Sequence, residues 1–505
     1  MQHWAENLSG RISRLPMLAL LVAVVAGILL ADHYVFPLWC VVVGIIMFII
    51  NAVVLSRGGW RVVCLFGTVL LTSAAIYELN TTSLDRSYRL YEIEIERITS
   101  STERHTFGEC RIIGVMYEDS MQSCRATARF TADSTLSVRS GDRLMAYCSV
   151  KPFNRDSEKS YERYMSRRGM VGSLWLNGER VVSRDTSRSS LVARLRDTAE
   201  RRIERLSLSE DVEAVVKAVA IGHTETLSRS MRDSYRRSGS SHLLAVSGLH
   251  VGFVCAIAGV LLGLLLLLSH GQILRSVVVV ALIWLYAAVV GFTPSIVRAA
   301  LMFSLLQLTI AFASRTLSLN TLCFAAVVML WWDPHQMWDA GFLLSCLAVA
   351  AIVEWGVPII GLLKRYIRSE KRHSRHSLLR IGFERLLEWL ASAVVVSVVA
   401  TAATMPLTAH LFGLSSLWAI IMSPLMVLLC AITVGATIFW IIFPATMLQP
   451  VAGWVIECVT SVMNNVAAWC AARPTLIFEE RISGAMCIAI YLVYIIITLI
   501  RWARR

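Results

Sequence analysis

Charge is scarce in this chain, and one kind of charge is nearly missing. Only 16% of its 505 residues are Asp, Glu, Lys or Arg, against 56% hydrophobic residues. Ordinary soluble domains carry about 25% charged residues, so a soluble enzyme is excluded. Lysine occurs only at 151, 159, 217, 364 and 371, leaving 43 arginines among the 48 basic residues and a net charge of +13. From Ser238 to Leu274 there is no acid, lysine or arginine at all. No Cys-x-x-Cys pair occurs, and no metal or other cofactor is implied. Nor is there a Gly-x-x-x-x-Gly-Lys-Ser/Thr phosphate loop, so the chain has no nucleotide-driven motor of that kind.

What is present is a run of long apolar segments and a mean hydropathy of +0.62. The fold class is therefore a polytopic α-helical membrane protein. A crossing takes about 20 apolar residues, and segments near 16–31, 37–55, 62–79, 242–268, 275–291, 294–313, 319–332, 340–363, 389–409, 417–443, 449–470 and 484–500 qualify, about twelve in all. The 319–332 segment is short and Pro424 interrupts another, so half-helices are expected there. The first segment is read as a retained anchor rather than a signal peptide. Short basic stretches stay in the cytoplasm. Arg11 and Arg14, Arg57 and Arg61, the Lys364–Arg380 stretch and Arg501, Arg504 and Arg505 then share one side. Both termini are predicted to be cytoplasmic, in a bacterial inner membrane, with residues 80–241 outside.

That outer stretch divides in two. Alternation in Glu109–Tyr117, Arg125–Phe130 and Asp142–Val150, with a turn at Ser140-Gly141-Asp142, predicts a small extracytoplasmic β-barrel, OB-like, over 81–186. Few aromatic residues in 90–182 offer a stacking platform, so its ligand stays open. Residues 187–241 turn helical, with Leu191, Leu195, Thr198, Arg202 and Leu206 at helical spacing. That helix lies on the membrane surface or packs on the barrel. Domains are thus 1–80 (first membrane helices), 81–186, 187–241 and 242–505 (the main membrane domain). Cys110, Cys124 and Cys148 lie in the outer domain, where one disulfide and one free thiol are expected.

Polar groups inside apolar spans mark a pathway or a partner. His242, Ser247, Gly248 and His250 open the first span after the outer domain. Gly248 and Gly252 permit close approach, either of another helix or of an extended substrate. The two histidines, eight residues apart, stand about 12 Å apart along a regular helix and cannot share one metal from it; a break at Ser247-Gly248 would let them come closer, but without further ligands a zinc site is not expected. They serve either as donors lining a polar path or as interhelical bonds. Arg298 follows Thr293 as N-cap and Pro294 as first helical residue. A cation there opposes the helix dipole, so Asp333 and Asp339 or a substrate phosphate are its candidate partners. The arginine bias itself suits a polyanion, anionic lipid or a GC-rich genome alike.

Ordered motifs carry a resemblance. Ala220-Ile-Gly-His223, Leu227-Ser228, Gly239 and His242-Leu-Leu-Ala-Val-Ser-Gly-Leu-His-Val251 resemble the signature of ComEC-type competence proteins. Gly291-Phe-Thr-Pro-Ser-Ile-Val-Arg-Ala299, Asp333-Pro334, Asp339-Ala-Gly-Phe-x-Leu-Ser345, Pro406 and Phe412-Gly413 resemble further elements of that family, as do Gly141-Asp142 and Tyr161–Met170 in the outer domain. The resemblance implies an inner-membrane channel for single-stranded transforming DNA and no enzymatic activity. His242, Ser247, Gly248, His250, Arg298, Asp333, Asp339 and Ser345 would line the path. A cytoplasmic ATPase or strand-binding protein would pull the strand, and the lipid bilayer surrounds the channel. Two departures stand out: His223 replaces an acidic residue, and Trp418-Ala419 replaces an Asn. Many relatives also carry a metallo-β-lactamase-like domain. No His-x-His-x-Asp-His pattern occurs here, so the chain is read as a form lacking that domain, with a separate nuclease as a partner. The alternatives are a transporter or scaffold for another envelope substrate and an intramembrane serine hydrolase, with Ser247 as nucleophile and His242 or His250 as base.

Overall fold

The computed structural model describes residues 15–34, 43–44, 46, 59–81, 84, 88–185 except 103, 118–119, 134, 139–140, 156 and 159, then 191–311, 319–369 and 378–504. In chain order, α1 (Pro16–His33) and α2 (Gly59–Asn80) precede strands β1 (Tyr88–Ser101), β2 (His105–Tyr117), β3 (Ser120–Asp133) and β4 (Arg143–Pro152). Then come α3 (Ser160–Arg167), β5 (Met170–Leu176), β6 (Val181–Asp185), α4 (Leu191–Glu204), α5 (Glu210–Ile221), α6 (Arg229–Arg237) and α7 (Ser241–Leu244). The remainder is helical: α8 (Gly248–Leu261), α9 (Gly271–Val290), α10 (Pro294–Ala311), α11 (Leu319–Trp332), α12 (Ala340–Ala351), α13 (Val357–Ser369), α14 (Leu378–Phe412), α15 (Trp418–Ile442), α16 (Gln449–Ala471) and α17 (Gly484–Arg504). The backbone gathers into two compact units, Ala19–Thr198 with Val327–Asp339, and Ala199–Ala326 with Ala340–Arg505 and the first residues of α1.

In the first unit β1 pairs with both β2 and β4, β2 with β3, β3 with β5 and β5 with β4, so the pairings run round five strands in a ring. Strand alternation sends one face inward. Ile93, Ile95, Cys110, Ile112, Ala128, Phe130, Leu144, Cys148 and Leu174 form its core. Gly141 makes the expected turn at φ +95°, a conformation that glycine adopts without cost. The sequence placed α1 and α2 in a separate N-terminal domain and 327–339 in the main membrane domain; the backbone packs all three with the sheet.

The three cysteines of the sheet domain are free thiols, against the expected disulfide. Cys110 and Cys148 occupy inward positions of β2 and β4, and Cys110 donates to Ala128 O at 3.5 Å. Burial pushes both thiols up, Cys148 to about 12, which suppresses the reactive thiolate.

The second unit is a helical bundle. Nine helices among the described residues are long and apolar enough to cross a membrane, and Leu65–Asn80 and Leu319–Trp332 are shorter apolar helices. About twelve crossings were expected; the 37–55 segment falls almost wholly outside the described residues, as do the basic residues of 370–377. Pro424 does not divide its segment, since α15 runs unbroken through it. A helical proline frees the carbonyl four residues back, here Ile420 O, and Ser397 Oγ donates to that oxygen at 3.3 Å and to Ala419 O at 3.1 Å. Pro406 inside α14 is handled alike: Tyr494 OH donates to Ala402 O at 3.0 Å and Tyr491 OH to Ala403 O at 2.9 Å.

Candidate functional site: a polar seam in the bundle and an aromatic face on the sheet

The helix carrying the two histidines is broken between them. His242 lies on α7, Ala245 and Ser247 are extended, and α8 restarts at Gly248. His250, at the third position of α8, is fully buried. Its Nδ1 accepts the Ser247 backbone N–H at 3.1 Å, and Ser247 Oγ lies 3.0 Å away. An N–H can only donate, so Nδ1 is the unprotonated nitrogen and Nε2 carries the proton. Nε2 then donates to Cys430 Sγ of α15 at 3.4 Å. The imidazole thus closes an orphan donor at the start of α8, as Glu does in a capping box, and ties α8 to α15. With Nδ1 already holding a backbone proton donor, it is a poor base for Ser247.

Gly248 and Gly252 face α10. A Cβ on them would lie 3.2 Å from Ala299 Cβ and 3.2 Å from Phe303 Cζ respectively, so the glycines allow two helices to touch. Val246, Val251, Val279, Ala287, Ile296 and Ala299 complete that core. Arg298 is 1% exposed on α10. It donates to Phe342 O at 3.4 Å and Ser295 Oγ at 3.3 Å. Ser345 lies half-buried on α12. Asp333 and Asp339 belong to the other compact unit. Asp333 caps the turn at Pro334–Trp338 by accepting the His335 N–H at 3.1 Å, and Asp339 pairs with Arg168 at 3.2 Å. Further along the seam Thr433 and Thr460 share a bond at 3.1 Å, and Tyr235 OH donates to Asn464 at 2.7 Å.

The family-model comparison falls on this bundle: the model described as "Competence protein" matches residues 219–505, more than half of the chain. The chain belongs to the competence protein family. It is also 31% identical over 141 residues to ComE operon protein 3 of Bacillus subtilis (strain 168), covering 27% of this chain and 17% of that protein. An uncharacterized protein of Aquifex aeolicus (strain VF5) is 30% identical over 160 residues, covering 32% of this chain and 37% of that one. The matched stretch is therefore a minor part of each relative's length. No solved structure matches.

Two features of this competence protein escaped sequence reasoning. The first surrounds His223. Its Nδ1 meets Glu200 at 3.0 Å and its Nε2 meets Glu225 at 3.3 Å. The bond to Glu200, and then that to Glu225, pushes His223 up to about 9, while the same bond holds Glu200 down at about 2. Buried Lys217 meets Glu213 at 2.8 Å, Glu204 at 2.9 Å and Glu200 at 3.4 Å. Burial works against that ammonium, but the bonds to Glu213 and Glu204 outweigh it and raise it to about 12. A histidine here supplies the cation that α4 and the loop after α5 need. Gly222, at φ +74°, ends α5 in the left-handed conformation and delivers His223 to Glu200.

The second feature is the outer face of the sheet. Phe107 stands opposite Thr131, which stands opposite Trp175; in the adjoining row Glu109, Arg129, Ser173 and Lys151 are successive neighbours. Directly opposed residues share a face, so two cations and two aromatics from four strands meet there. Phe153 and Tyr161 pack edge to face at 6.1 Å and border a cavity of about 390 Å³ with Arg129 and Lys151. Tyr161 is 48% exposed and Trp175 52%. Sequence order scatters these side chains over 69 positions; only strand register assembles them. Among the described residues no group of three His, Cys, Asp or Glu side chains could hold a metal ion.

Proposed function

We propose that this chain is an inner-membrane channel for uptake of single-stranded transforming DNA, in which the sheet domain, an OB-like barrel outside the cytoplasm, captures the strand. The observation that carries the reading is the basic and aromatic sheet face. Single strands bind where cations follow the backbone and aromatic rings accept bases, and stacking is tolerant of sequence. Arg129 and Lys151 suit phosphates; Phe107, Tyr161 and Trp175 suit bases. Membership of the competence family supports DNA as the substrate. In this reading both termini are cytoplasmic, a cytoplasmic ATPase or strand-binding protein supplies the pull, and a separate nuclease supplies the single strand. The bundle's polar seam around Ser247, His250 and Arg298, with His242 and Gly248 beside it, is the path. Ser247 and His250 act there as a helix cap, and no catalysis is assigned to them. Ser345 acts as a structural support beside it, and Asp333 and Asp339 act as structural supports within their own unit.

The test is entry of labelled DNA into the cytoplasm of the native host. Deletion is expected to leave DNA outside the inner membrane, and the restored gene to return entry. His250→Ala, at equal protein level, is expected to block entry. Equal uptake with and without the gene would falsify the channel reading and bring the transporter or scaffold reading forward.

A further inference from the structure

We propose that Asp32 is a positioning residue that holds the sheet domain rigidly on its two N-terminal membrane helices; its consequence for uptake rests on the channel reading above. Asp32 is the penultimate residue of α1, and its side chain is 0% exposed. A carboxylate at a helix C-terminus faces the negative end of the dipole, and burial penalises its charge further. Its partners account for its presence. Arg167 Nη2 lies 2.8 Å away, Arg155 Nε 3.9 Å, and Tyr77 OH of α2 donates at 2.8 Å.

Both arginines come from the connection between β4 and β5. Arg155 also donates to Ala31 O at 3.3 Å, closing the end of α1, and to Thr81 Oγ1 at 3.3 Å. Arg167 ends α3 and lies over the Trp338 ring at 4.5 Å. The ring nitrogens of His335 meet Arg167 O at 3.0 Å and Asn80 O at 3.3 Å, and Gly169 leaves room for that ring, since a Cβ there would sit 2.6 Å from it. The eight residues of α3 therefore reach from Arg167 in this joint to Tyr161 in the cavity. Asp32 anchors one end of the helix whose other end borders the strand site. The outer domain is a fixed fitting on the membrane anchor, not a tethered module.

Hydrogen exchange on the purified full-length protein tests the joint without reference to DNA. Asp32→Asn is expected to speed amide exchange in 155–169 by about 100-fold, the order set by breaking a buried ion pair, while β2 and β3 keep their protection. Asp32→Glu is expected to retain most of that protection, and Arg167→Gln to reproduce the loss. In a host where the wild-type gene supports uptake, Asp32→Asn is expected to lose DNA entry while affinity of the purified protein for a labelled oligothymidylate is unchanged. Unchanged exchange in 155–169 sinks the joint. So does a fall in oligothymidylate affinity that parallels the fall in entry, which makes Asp32 a folding residue of the strand site. Where Asp32→Asn fails to accumulate, Arg155→Gln gives the same readings with Arg167 left in place. A wild-type gene without uptake overturns the channel reading and leaves the exchange result standing.

Discussion

In the sheet domain Arg89, Arg129 and Arg180 lie over the rings of Tyr117, Tyr161 and Tyr88, at 3.9, 5.9 and 5.5 Å. In the bundle, Arg473 and Arg501 lie over the rings of Trp469 and Trp355, at 3.9 and 4.3 Å, but many arginines end on helix carbonyls. Arg236 reaches Phe412 O at 2.9 Å, Arg481 reaches His410 O and Leu411 O at 3.1 Å each, Arg473 reaches Trp469 O at 3.0 Å, Arg275 reaches Gly259 O at 3.0 Å, and Arg202 reaches Ile441 O. Each of those oxygens lies in the last turn of its helix, where no partner exists within the helix. Near lipid an unmet carbonyl costs several kcal/mol, and guanidinium, with five donors in a fork, closes one or two at once. The arginine excess is thus two signals added together. One belongs to helix ends and says nothing of substrate; the other is Arg129, on the open sheet face beside Tyr161.

Substitutions in the two regions should separate these roles. The largest effect is expected for Arg298→Ala in the bundle. Removing a buried, bonded cation with its packing should cost about 3 kcal/mol or more, read as a loss of folded protein in detergent and a lowered melting temperature. A variant of wild-type stability would mean that Arg298 does not brace the bundle. Next comes the sheet face: Arg129→Gln with Lys151→Gln should leave stability within about 0.5 kcal/mol. Affinity for a single strand should fall, and the salt slope should shrink by about 0.7 for each phosphate no longer neutralised. An unchanged slope would mean that these cations do not meet phosphates. The smallest effect is expected at the His223 clasp and is read by pH. His223 is raised to about 9, so its contribution is full below its ordinary value near 6.5 and is lost as pH rises through about 9. Glu200 is lowered to about 2, so its share is present above its ordinary value near 4.5 and is lost as pH falls toward about 2. Thermal stability should therefore decline on either side of pH 4.5 to 6.5, and His223→Gln should flatten the alkaline limb.

Much of the architecture was legible because it rests on local pattern. Apolar runs announce helices, alternation announces strands, and Pro294 with Thr293 announces the start of α10. The prolines show where that reading stops. Pro424 and Pro406 look like breaks in one dimension, yet Ser397 and Tyr494, from other helices, accept the burden of the freed carbonyls. The cysteines show it too, since parity of thiols in an outer domain suggested a bond, while strand register turned Cys110 and Cys148 inward as packing. At the candidate site, the sequence singled out Ser247, Gly248 and His250 but left their roles open. Contacts with Cys430 and α10 tie these residues into the bundle.

By itself the sequence determined that this is a membrane protein of the competence type, because hydropathy and ordered motifs are properties of the chain alone. The tertiary structure decided which polar groups face one another. A ring of strands set Phe107, Trp175, Arg129 and Lys151 on one face, and a helix break turned a histidine into a cap. The joint at Asp32 brought together residues 155, 167 and 335. Such pairings depend on distances through space, and spacing along the chain does not encode them.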